Sequence, residues 1–396
     1  MQFDIVVVGA GPAGLSFACS LKGSGLRVAL IEKQSAPALA DPAFDGREIA
    51  LTHLSMALLR ALGVWDRIPP AEIASLRRAR VLNGRSAFAL NFEPPPRGED
   101  RLGVLIPNHL IRRALYEEVA GMEHVRLITG ATVTALRTDR QGATVTLGDG
   151  TEIGAGLVVA ADTRFSETRR RMGIPAQMQD FGKIMLVCRM AHEKPHDGVA
   201  TEWFDYGQTF AILPLNGDVS GAVLTLPARE MDGLLALPEP AFNAEITRRY
   251  RNRLGAMHLV STKHVYPLVG VYAQRFTDRR YVLLGDAAVG MHPVTAHGFN
   301  LGLRGAHVLA SEIRAAVERG RDVADAHALR RYAFEHRRAS WPLYLATNAT
   351  ALFYTDDRLP VRLMRSAALR LGQFLPPVRR TVVRNLMDDA PVSRMS

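Results

Sequence analysis

A chain of 396 residues is long enough to bury a large core, and its length predicts two domains rather than one. Its composition, 47% hydrophobic and 22% charged, is that of a globular protein, and no stretch is long and apolar enough to span a bilayer. The net charge of +10 comes mainly from dispersed arginines that do not interleave with aromatic residues, so we expect no nucleic-acid partner.

Sequence signals for secretion, metal binding and nucleophilic catalysis are missing. The N-terminal apolar run follows Asp4 and lacks a preceding basic segment, so we expect no signal peptide. Cys19 and Cys188 are far apart in the sequence, and we expect buried thiols rather than a disulfide. The motifs H-E-x-x-H, G-x-S-x-G and C-x-x-C are absent. We therefore expect a cytoplasmic protein with no metal site and no nucleophilic triad.

The chain begins with a predicted βαβ unit. Residues 5–8 form a short apolar strand that runs directly into the G-x-G-x-x-G sequence of residues 9–14. A helix is predicted over residues 15–22, and a second apolar strand over residues 27–31 ends on Glu32. This order of strand, glycine loop, helix and strand is typical of an adenine-dinucleotide site.

Each part of the glycine loop has a physical role in such a site. Gly9 allows a tight turn, Gly11 lets the backbone approach a pyrophosphate, and Gly14 lets the helix pack closely on the strand. The N-terminus of the helix directs N–H groups and the positive end of its dipole at the phosphates. Glu32 is placed to accept a hydrogen bond from a ribose hydroxyl. Because the pattern starts at Gly9 and has no second copy downstream, it favours FAD over a separate NAD(P)H domain.

The rest of the chain alternates between predicted strands and helices. The first part predicts a helix over 53–62, strands over 81–92 with a turn at Asn83-Gly84, a strand over 102–106, a helix over 109–120 with Asn108 as its N-cap, and strands within 125–161. The second part predicts strands over 184–190, 201–206, 210–213, 221–226 and 259–266, a helix over 239–254, a buried strand over 281–286 and mainly helix from 301 onward.

This order of elements predicts an α/β (α+β mixed) fold, with a Rossmann-like FAD-binding domain, an inserted β-sheet substrate domain and a helical C-terminus. The FAD-binding domain is predicted over residues 1–75, 101–174 and 276–340, the substrate domain over 76–100 and 175–275, and a helical, basic C-terminal region over 341–396. Because the chain leaves the first domain and returns to it, we expect a cleft between the two.

Three sequence blocks occur together. The first is residues 9–14 with Glu32, the second is Ala-Asp-Thr-Arg-Phe-Ser-Glu-Thr-Arg over 161–169, and the third runs from Leu-Gly-Asp-Ala-Ala at 284 to Gly302. In this order and spacing they resemble the single-component FAD-dependent aromatic hydroxylases, which have the p-hydroxybenzoate hydroxylase fold. Within that family the chain is most similar to the ubiquinone-biosynthesis hydroxylases. The sequence His-Pro-Val-Thr-Ala-His-Gly-Phe-Asn over 292–300, together with Asp-Thr-Arg-Phe-Ser over 162–166, resembles the branch that hydroxylates demethoxyubiquinol at C5.

The resemblance implies an FAD-dependent monooxygenase that hydroxylates an aromatic ring through a flavin C4a-hydroperoxide. The implied partners are O2 and a lipid-like aromatic substrate, a polyprenyl phenol or quinol, while the electron donor, NAD(P)H or another, stays open. The alternatives are a tailoring hydroxylase of an aromatic secondary metabolite, a flavoprotein reductase that inserts no oxygen, and a nucleotide-binding module without catalysis.

Two positions depart from the family pattern. Thr163 replaces a glycine in the second block, and His297 replaces a glutamine in the third. His297 either brings a titratable group close to the flavin or only hydrogen-bonds within its loop. In the second block, Ser166 is expected to N-cap the following helix, and Arg169 to support the loop.

The residue chemistry and the resemblance together give the candidate site residues. The candidate cofactor-binding residues are Gly9, Gly11, Ala13, Gly14, Glu32, Lys33, Arg47, Asn108, Val133, Asp162, Asp286, Pro293, Gly298, Phe299 and Asn300. The candidate catalytic residues are His297, as a group that handles a phenol proton, and Pro293, whose ring makes its loop rigid. Asp286 is expected at the ribityl chain, and a helix that begins near Asn300 is expected to point its N-terminus at the flavin ring.

The C-terminal sequence is basic and amphipathic. Residues 358–384 contain seven arginines and no acid, and Leu359, Leu363, Ala367 and Leu371 would share one helix face. Such a helix either lies on an anionic membrane surface or packs on the body of the protein. The sequence therefore leaves open peripheral contact with the inner membrane, or with a quinone-synthesis complex.

Overall fold

The computed structural model describes residues 1–84, 86, 88–95, 99–205, 207–292, 297–355, 382–384 and 386–388. The strands are β1 Gln2–Val8, β2 Val28–Glu32, β3 Glu48–Leu51, β4 Ala74–Leu76, β5 Arg78–Asn83, β6 Ala89–Phe92, β7 Gly103–Pro107, β8 Val125–Thr129, β9 Val133–Thr138, β10 Ala143–Leu147, β11 Glu152–Ala160, β12 Ala176–His192, β13 Val199–Asp205, β14 Gln208–Pro214, β15 Val219–Pro227, β16 Met257–Leu259, β17 His264–Ala273, β18 Thr277–Asp278, β19 Tyr281–Leu283 and β20 Val289–Gly290. The helices are α1 Pro12–Ser20, α2 Ala36–Ala40, α3 His53–Ala61, α4 Asn108–Ala120, α5 Glu167–Arg171, α6 Ala228–Leu235, α7 Glu239–Arg249, α8 Gly298–Glu318 and α9 Ala326–Thr355.

The first sheet is built around β1. Its strand order is β18-β19-β11-β1-β2-β8, and β9 and β10 extend it from β11. β1 lies between β2 and β11 and is parallel to both. Ile5, Val6 and Val7 have no exposed surface, as expected for a strand of a parallel sheet that is covered on both faces. Because parallel strands end at the same edge, the loops after β1, β2, β11 and β19 come together there.

The second sheet has the order β20-β17-β12-β15-β14-β13-β5-β6, with β16 also paired to β12. One of its faces packs against α6 and α7, where Trp203, Phe210 and Phe242 are fully buried. The opposite face contacts a small antiparallel sheet, β3-β7-β4. There Arg189 on β12 forms an ion pair of 2.8 Å with the buried carboxylate of Glu48 on β3.

The observed elements confirm the predicted α/β (α+β mixed) fold class, while the domain boundaries stay a prediction. The predicted strand over 259–266 is wrong, because the chain there forms the end of β16 and the start of β17. Between them the Ser261 hydroxyl, rather than a backbone carbonyl, accepts the hydrogen bond from the Arg189 N–H at 2.8 Å. The predicted strand over 281–286 ends at Leu283, because Gly285 adopts a φ of +60° and starts a short 3-10 turn.

The predicted amphipathic segment lies largely outside the described residues. Residues 382–384 of that segment are described, as are residues 386–388 after it. Both lie against the body of the protein. Val382, Val383 and Met387 pack against the end of the second sheet at Phe92. Asp388 accepts a hydrogen bond from the Leu54 N–H in the first turn of α3 at 3.2 Å. This short segment therefore packs on the body. Within the described part of the chain, none of the helices combines the length and apolar character needed to cross a bilayer.

Candidate active site

The glycine loop joins β1 to α1 at the edge of the first sheet. Gly9 has a φ of +108°, and a side chain there would lie 2.7 Å from the carbonyl carbon of Ala161. A side chain on Gly14 would collide with the Gly9 carbonyl oxygen, so Gly14 is needed for the close packing of α1 on β1. At Gly11, the N-cap of α1, a Cβ would meet nothing within 4 Å. Gly11 thus borders open space at the start of the helix.

Glu32 is held by the backbone at the end of β2. One carboxylate oxygen accepts the Ala10 N–H of the glycine loop at 2.8 Å, and the other accepts the Gln34 N–H at 2.9 Å. Each oxygen keeps a second lone pair, which fits the predicted acceptor for a ribose hydroxyl. Lys33 is exposed beside it. Val133 lies on β9 with 8% of its surface exposed, and its predicted cofactor contact stays a prediction.

Asp162 follows β11 and lies directly against Gly9, where an added Cβ would be 2.8 Å from the Asp162 Cα. Its Oδ2 accepts the Thr168 hydroxyl at 3.1 Å. Its buried Oδ1 has no hydrogen-bond partner among the residues that the structure describes. A buried carboxylate oxygen is costly to leave unbonded, so this atom is suited to a donor supplied by a ligand.

The first and third sequence blocks meet in the structure. A Cβ on Gly285 would lie 2.7 Å from the Cβ of Ala13 in α1, and Gly302 of α8 lies beside both residues. α1 packs closely along α8. The loop that carries Asp286 and the helix that begins at Gly298 therefore lie next to the glycine loop, although most of the chain separates them in sequence.

The second block contributes an arginine to Asp286. Arg164 donates to Asp286 Oδ2 at 2.9 and 3.2 Å and to the Val269 carbonyl at 3.0 Å. Arg169 is 3% exposed and donates to the Ala287 carbonyl at 2.9 Å, so it supports the loop as predicted. Ser166 accepts the Arg169 N–H at 2.9 Å, which confirms the predicted N-cap of α5. The sequence did not predict that Arg164 would pair with Asp286.

A second polar cluster joins Asp45, Arg47 and Asn108. Arg47 donates to Asp45 Oδ2 at 2.6 Å, and the Asn108 amide donates to the same oxygen at 2.7 Å. Burial alone would raise the pKa of Asp45, but the Arg47 charge and these hydrogen bonds outweigh it and hold the pKa below its usual value. The prediction that Asn108 is an N-cap is wrong. Asn108 is the first residue of α4 after Pro107, and its amide bonds Asp45 instead.

Arg112 is a site residue that the sequence reasoning missed. Its guanidinium donates to the Gln34 side chain at 3.0 Å, and it lies within electrostatic reach of Glu32, Asp45 and Arg47. Burial lowers the pKa of Arg112, and the charge of Arg47 adds to this effect. Helical spacing could have predicted Arg112 as a candidate. It is four residues after Asn108, and residues four apart share a helix face. Arg112 therefore adds positive charge beside Glu32, whose carboxylate accepts the Ala10 N–H of the glycine loop.

Helix α8 begins at the third block. His297 is its N-cap residue and makes no side-chain capping bond, and a Cβ on Gly298 would meet nothing within 4 Å. Asn300 is buried, and its amide donates to the Ala50 carbonyl at 2.8 Å and accepts the Thr52 N–H at 3.2 Å. The Asn300 side chain therefore fixes α8 to the end of β3. The adjacent Phe299 is partly buried against the first core.

His292 and His297 flank residues 293–296 of this loop, which lie outside the described residues. Pro293, predicted as catalytic and cofactor-binding, lies outside the described residues. His292 is 8% exposed, and its ring packs edge-on against Phe181 with centroids 4.7 Å apart. Burial, with the nearby charges of Lys183 and Arg164, lowers the pKa of His292 to about 4. His292 is therefore neutral at physiological pH, and the role of His297 stays a prediction.

The arrangement fits an FAD molecule in three respects. Open space lies at Gly11 and at Gly298, where a Cβ would otherwise project. The Asp162 backbone lies against the glycine loop, and its Oδ1 has no hydrogen-bond partner among the residues described. The donors and charges are also of the right kind, since helix N-termini and arginines bind phosphates and carboxylates bind ribose or ribityl hydroxyls.

Comparison with known families agrees with this geometry. The model of the family described as FAD binding domain matches residues 2–346. The chain belongs to this family. The predicted cofactor, FAD, is thereby confirmed. The match to the family covers most of the 396-residue chain.

Three curated relatives show which flavoproteins it is similar to. It is 46% identical to the ubiquinone hydroxylase UbiM of Neisseria meningitidis, over 98% of this chain and 85% of that protein. It is 34% identical to the ubiquinone hydroxylase UbiL of Rhodospirillum rubrum, over 97% of this chain and 89% of that protein. It is 25% identical to the 3-demethoxyubiquinol 3-hydroxylase of Escherichia coli, over 96% and 97% of the two chains. These matches confirm the predicted resemblance to the ubiquinone-biosynthesis hydroxylases.

Solved structures agree on the fold. The p-nitrophenol 4-monooxygenase PnpA of Pseudomonas putida superposes with a TM-score of 0.77 at 18% identity, over 98% of this chain and all of that one. At this identity the likeness concerns the fold alone. Taken with the family and the relatives, the chain is an FAD-dependent aromatic-ring monooxygenase.

Proposed function

We propose that this flavoprotein hydroxylates a polyprenyl phenol or quinol in ubiquinone biosynthesis, with C5 of demethoxyubiquinol as the favoured position. Two relatives that align with 97% or more of this chain are named ubiquinone hydroxylases. A third relative is named for a demethoxyubiquinol, which supports the choice of that ring.

The structural observation that carries the flavin part of the proposal is the contact of Ala13 with Gly285. It brings the glycine loop and the Asp286 loop to one edge of the first sheet, so one flavin can be held at its diphosphate and at its ribityl chain. Bound FAD supplies the oxygen-activating chemistry that no side chain can supply. The protein's own contribution is to hold the flavin, exclude water and place the aromatic ring.

Within this site, the N-terminus of α8 is assigned to the flavin ring. An α-helix carries about half a positive elementary charge at its N-terminus, which stabilises negative charge on a reduced ring. Gly298 leaves room for the ring to approach the helix. We assign Asp286 to the ribityl hydroxyls, with Arg164 holding its carboxylate in place. We assign His297, at the start of the same helix, to the proton of the substrate hydroxyl.

We further propose that the enzyme is cytoplasmic and contacts the inner membrane through α9. Phe334, Trp341 and Leu345 on this helix expose 65%, 40% and 47% of their surface, and their spacing puts them on one face. Arg330 and Arg338 are exposed on the same helix. Aromatic and aliphatic side chains flanked by arginines suit an anionic lipid surface, which is where a polyprenyl substrate resides.

Deletion of the gene tests the substrate assignment. The mutant is expected to lose ubiquinone and to accumulate a quinone precursor that lacks one ring oxygen, identified by mass spectrometry. A plasmid copy of the wild-type gene should restore ubiquinone, and an Asp286→Ala copy should restore it poorly. Unchanged ubiquinone in the deletion strain would remove the proposed substrate and leave a tailoring hydroxylase as the function.

A further inference from the structure

The two faces of the second sheet differ in their covering. Side chains of β13 alternate, so Thr201 and Trp203 face α6 and α7 while Glu202 faces the other side. On that other side, the pairing of neighbouring strands places Glu202 in a row of side chains that runs across the sheet. From β5 to β12 the row is Val81, Glu202, Ala211, Val223 and Val187.

Other parts of the chain cover the two ends of this row. At its β12 end Val187 lies under Gly46, where a Cβ would be 2.7 Å from a Val187 methyl, so the Asp45–Arg47 cluster covers that end. At its β5 end Val81 packs in a cluster with Val382 and Leu386. Three strand spacings, about 14 Å, separate Val187 from Glu202.

The middle of the row is open. Glu202, Ala211 and Val223 each keep part of their surface accessible, whereas Phe210, Ile212 and Leu224 on the opposite face are buried. The small Ala211 side chain leaves room beside Glu202. The middle of the row therefore borders accessible space on the face of the second sheet that is turned away from α6 and α7.

Glu202 is the polar residue of this row, and its carboxyl has no hydrogen-bond or ion-pair partner within the described part of the chain. Among the described residues no cation or hydrogen-bond donor affects its carboxyl, and burial alone raises the pKa of Glu202 to about 8. The charged side chains near β13 lie on the opposite face, where Arg251 and Arg253 stack over Trp203 and Arg80 is in register with Thr201. Tyr250, also on that face, bonds Thr201. In its protonated form the Glu202 carboxyl can donate one hydrogen bond and accept another.

We propose that Glu202 binds the hydroxyl group of the aromatic substrate and so sets which ring carbon faces the flavin. The proposal rests on the proposed function, because it needs a ring that carries a hydroxyl group. A carboxyl that has only apolar neighbours in its row, and no partner among the described residues, is costly to bury unless a ligand satisfies it, and a ring hydroxyl supplies both a donor and an acceptor.

The test compares ligand binding by the FAD-loaded wild type with that by Glu202→Gln and Glu202→Met. Each is titrated with 2-methoxyphenol and with its methyl ether, 1,2-dimethoxybenzene, and binding is followed by the change in flavin absorbance. Glu202→Met is expected to raise the Kd for the phenol about tenfold or more and to leave the Kd for the ether nearly unchanged. Glu202→Gln keeps a donor and an acceptor and should lose less. Asp205→Asn removes a carboxylate from the same strand on the other face and should change neither value.

Infrared difference spectra of the wild type and Glu202→Gln test the proposal even if Glu202→Met does not fold. Binding of the phenol should shift the band of a protonated carboxyl in the wild type, and this band should be missing in Glu202→Gln. Equal loss of affinity for phenol and ether, an unshifted carboxyl band, or no saturable binding of the phenol by the wild type would each overturn the proposal. A phenol that binds through Glu202 while the deletion strain keeps its ubiquinone would instead refute the proposed substrate alone.

Discussion

Gly285 lies against Ala13, so closely that a Cβ on Gly285 would be 2.7 Å from the Ala13 methyl. Gly285 also has a φ of +60°, a conformation that side chains disfavour. This one contact fixes the distance between the glycine loop and Asp286. Any side chain at position 285 must therefore push α1 and the Asp286 loop apart.

The Gly285→Ala variant tests this contact. The left-handed φ costs about 1–2 kcal/mol for alanine, and the clash with Ala13 adds about 1–3 kcal/mol of overpacking. Gly320→Ala is the matched control, since Gly320 has a φ of +69° but open space around it. Denaturant unfolding should show a larger loss of stability for Gly285→Ala, with weaker FAD retention. Equal losses in the two variants would show that the contact is unimportant.

Gly11→Ala separates cofactor binding from folding. A Cβ at Gly11 meets no protein atom within 4 Å and its φ of −73° suits alanine, so the stability of the apoprotein should not fall. The methyl group would occupy the space assigned to the diphosphate, and the Kd for FAD should rise about tenfold or more. Fluorescence titration of the apoprotein with FAD measures this Kd.

Gly233→Ala serves as the control for Gly11→Ala. Gly233 lies in α6 and also has open space at its Cβ, so the same methyl group is added far from the assigned site. It should bind FAD as the wild type does. A Gly11→Ala protein with normal FAD affinity would place the diphosphate elsewhere.

Asp286→Asn tests the assigned ribityl contact. Asp286 is 41% exposed at its side chain, so the loss of its ion pair with Arg164 should change stability by less than about 1 kcal/mol. The loss of a charged acceptor should weaken FAD binding about tenfold. Asp278→Asn removes a similar exposed partner from Arg275 and should leave FAD affinity unchanged. Identical FAD affinity in both variants would argue against the contact.

The pH dependence of stability tests the buried His336. Burial, with the nearby charge of Arg304, lowers the pKa of His336 from 6.5 to about 4. Between these values the unfolded chain binds a proton that the folded chain does not, so the free energy of unfolding falls as the pH is lowered from 6.5 to 4. The contribution of His336 is about 3 kcal/mol. His336→Gln should flatten this dependence, whereas exposed His327→Gln should keep it. An unchanged slope in His336→Gln would contradict the prediction.

The sequence predicted the parts of the site that depend on local chain geometry. A strand, a glycine loop and a helix need only neighbouring residues, so the positions of Gly9, Gly14 and Glu32 followed from spacing. The Asn108 interpretation failed because α4 begins at Asn108 itself, and its side-chain N–H donates to Asp45, which tertiary packing brings there. Periodicity cannot show such long-range polar pairs.

The same limit explains what was missed about Arg164 and Glu202. Arg164 reaches Asp286 only because β11 and β19 are adjacent in the sheet. Glu202 lies in an alternating strand where a glutamate normally faces solvent, and the neighbouring strands instead place it in a row of apolar side chains. Strand order is a property of the whole fold, so the surroundings of these two residues could not be predicted from the sequence.

The structure of the FAD-loaded protein tests the central claim most directly. The account predicts the diphosphate within hydrogen-bond distance, about 3 Å, of the backbone N–H groups at Gly11. It also predicts Asp286 at the ribityl hydroxyls and Gly298 in contact with the ring system. A bound flavin that touches the glycine loop but lies remote from Asp286 and Gly298 would contradict it.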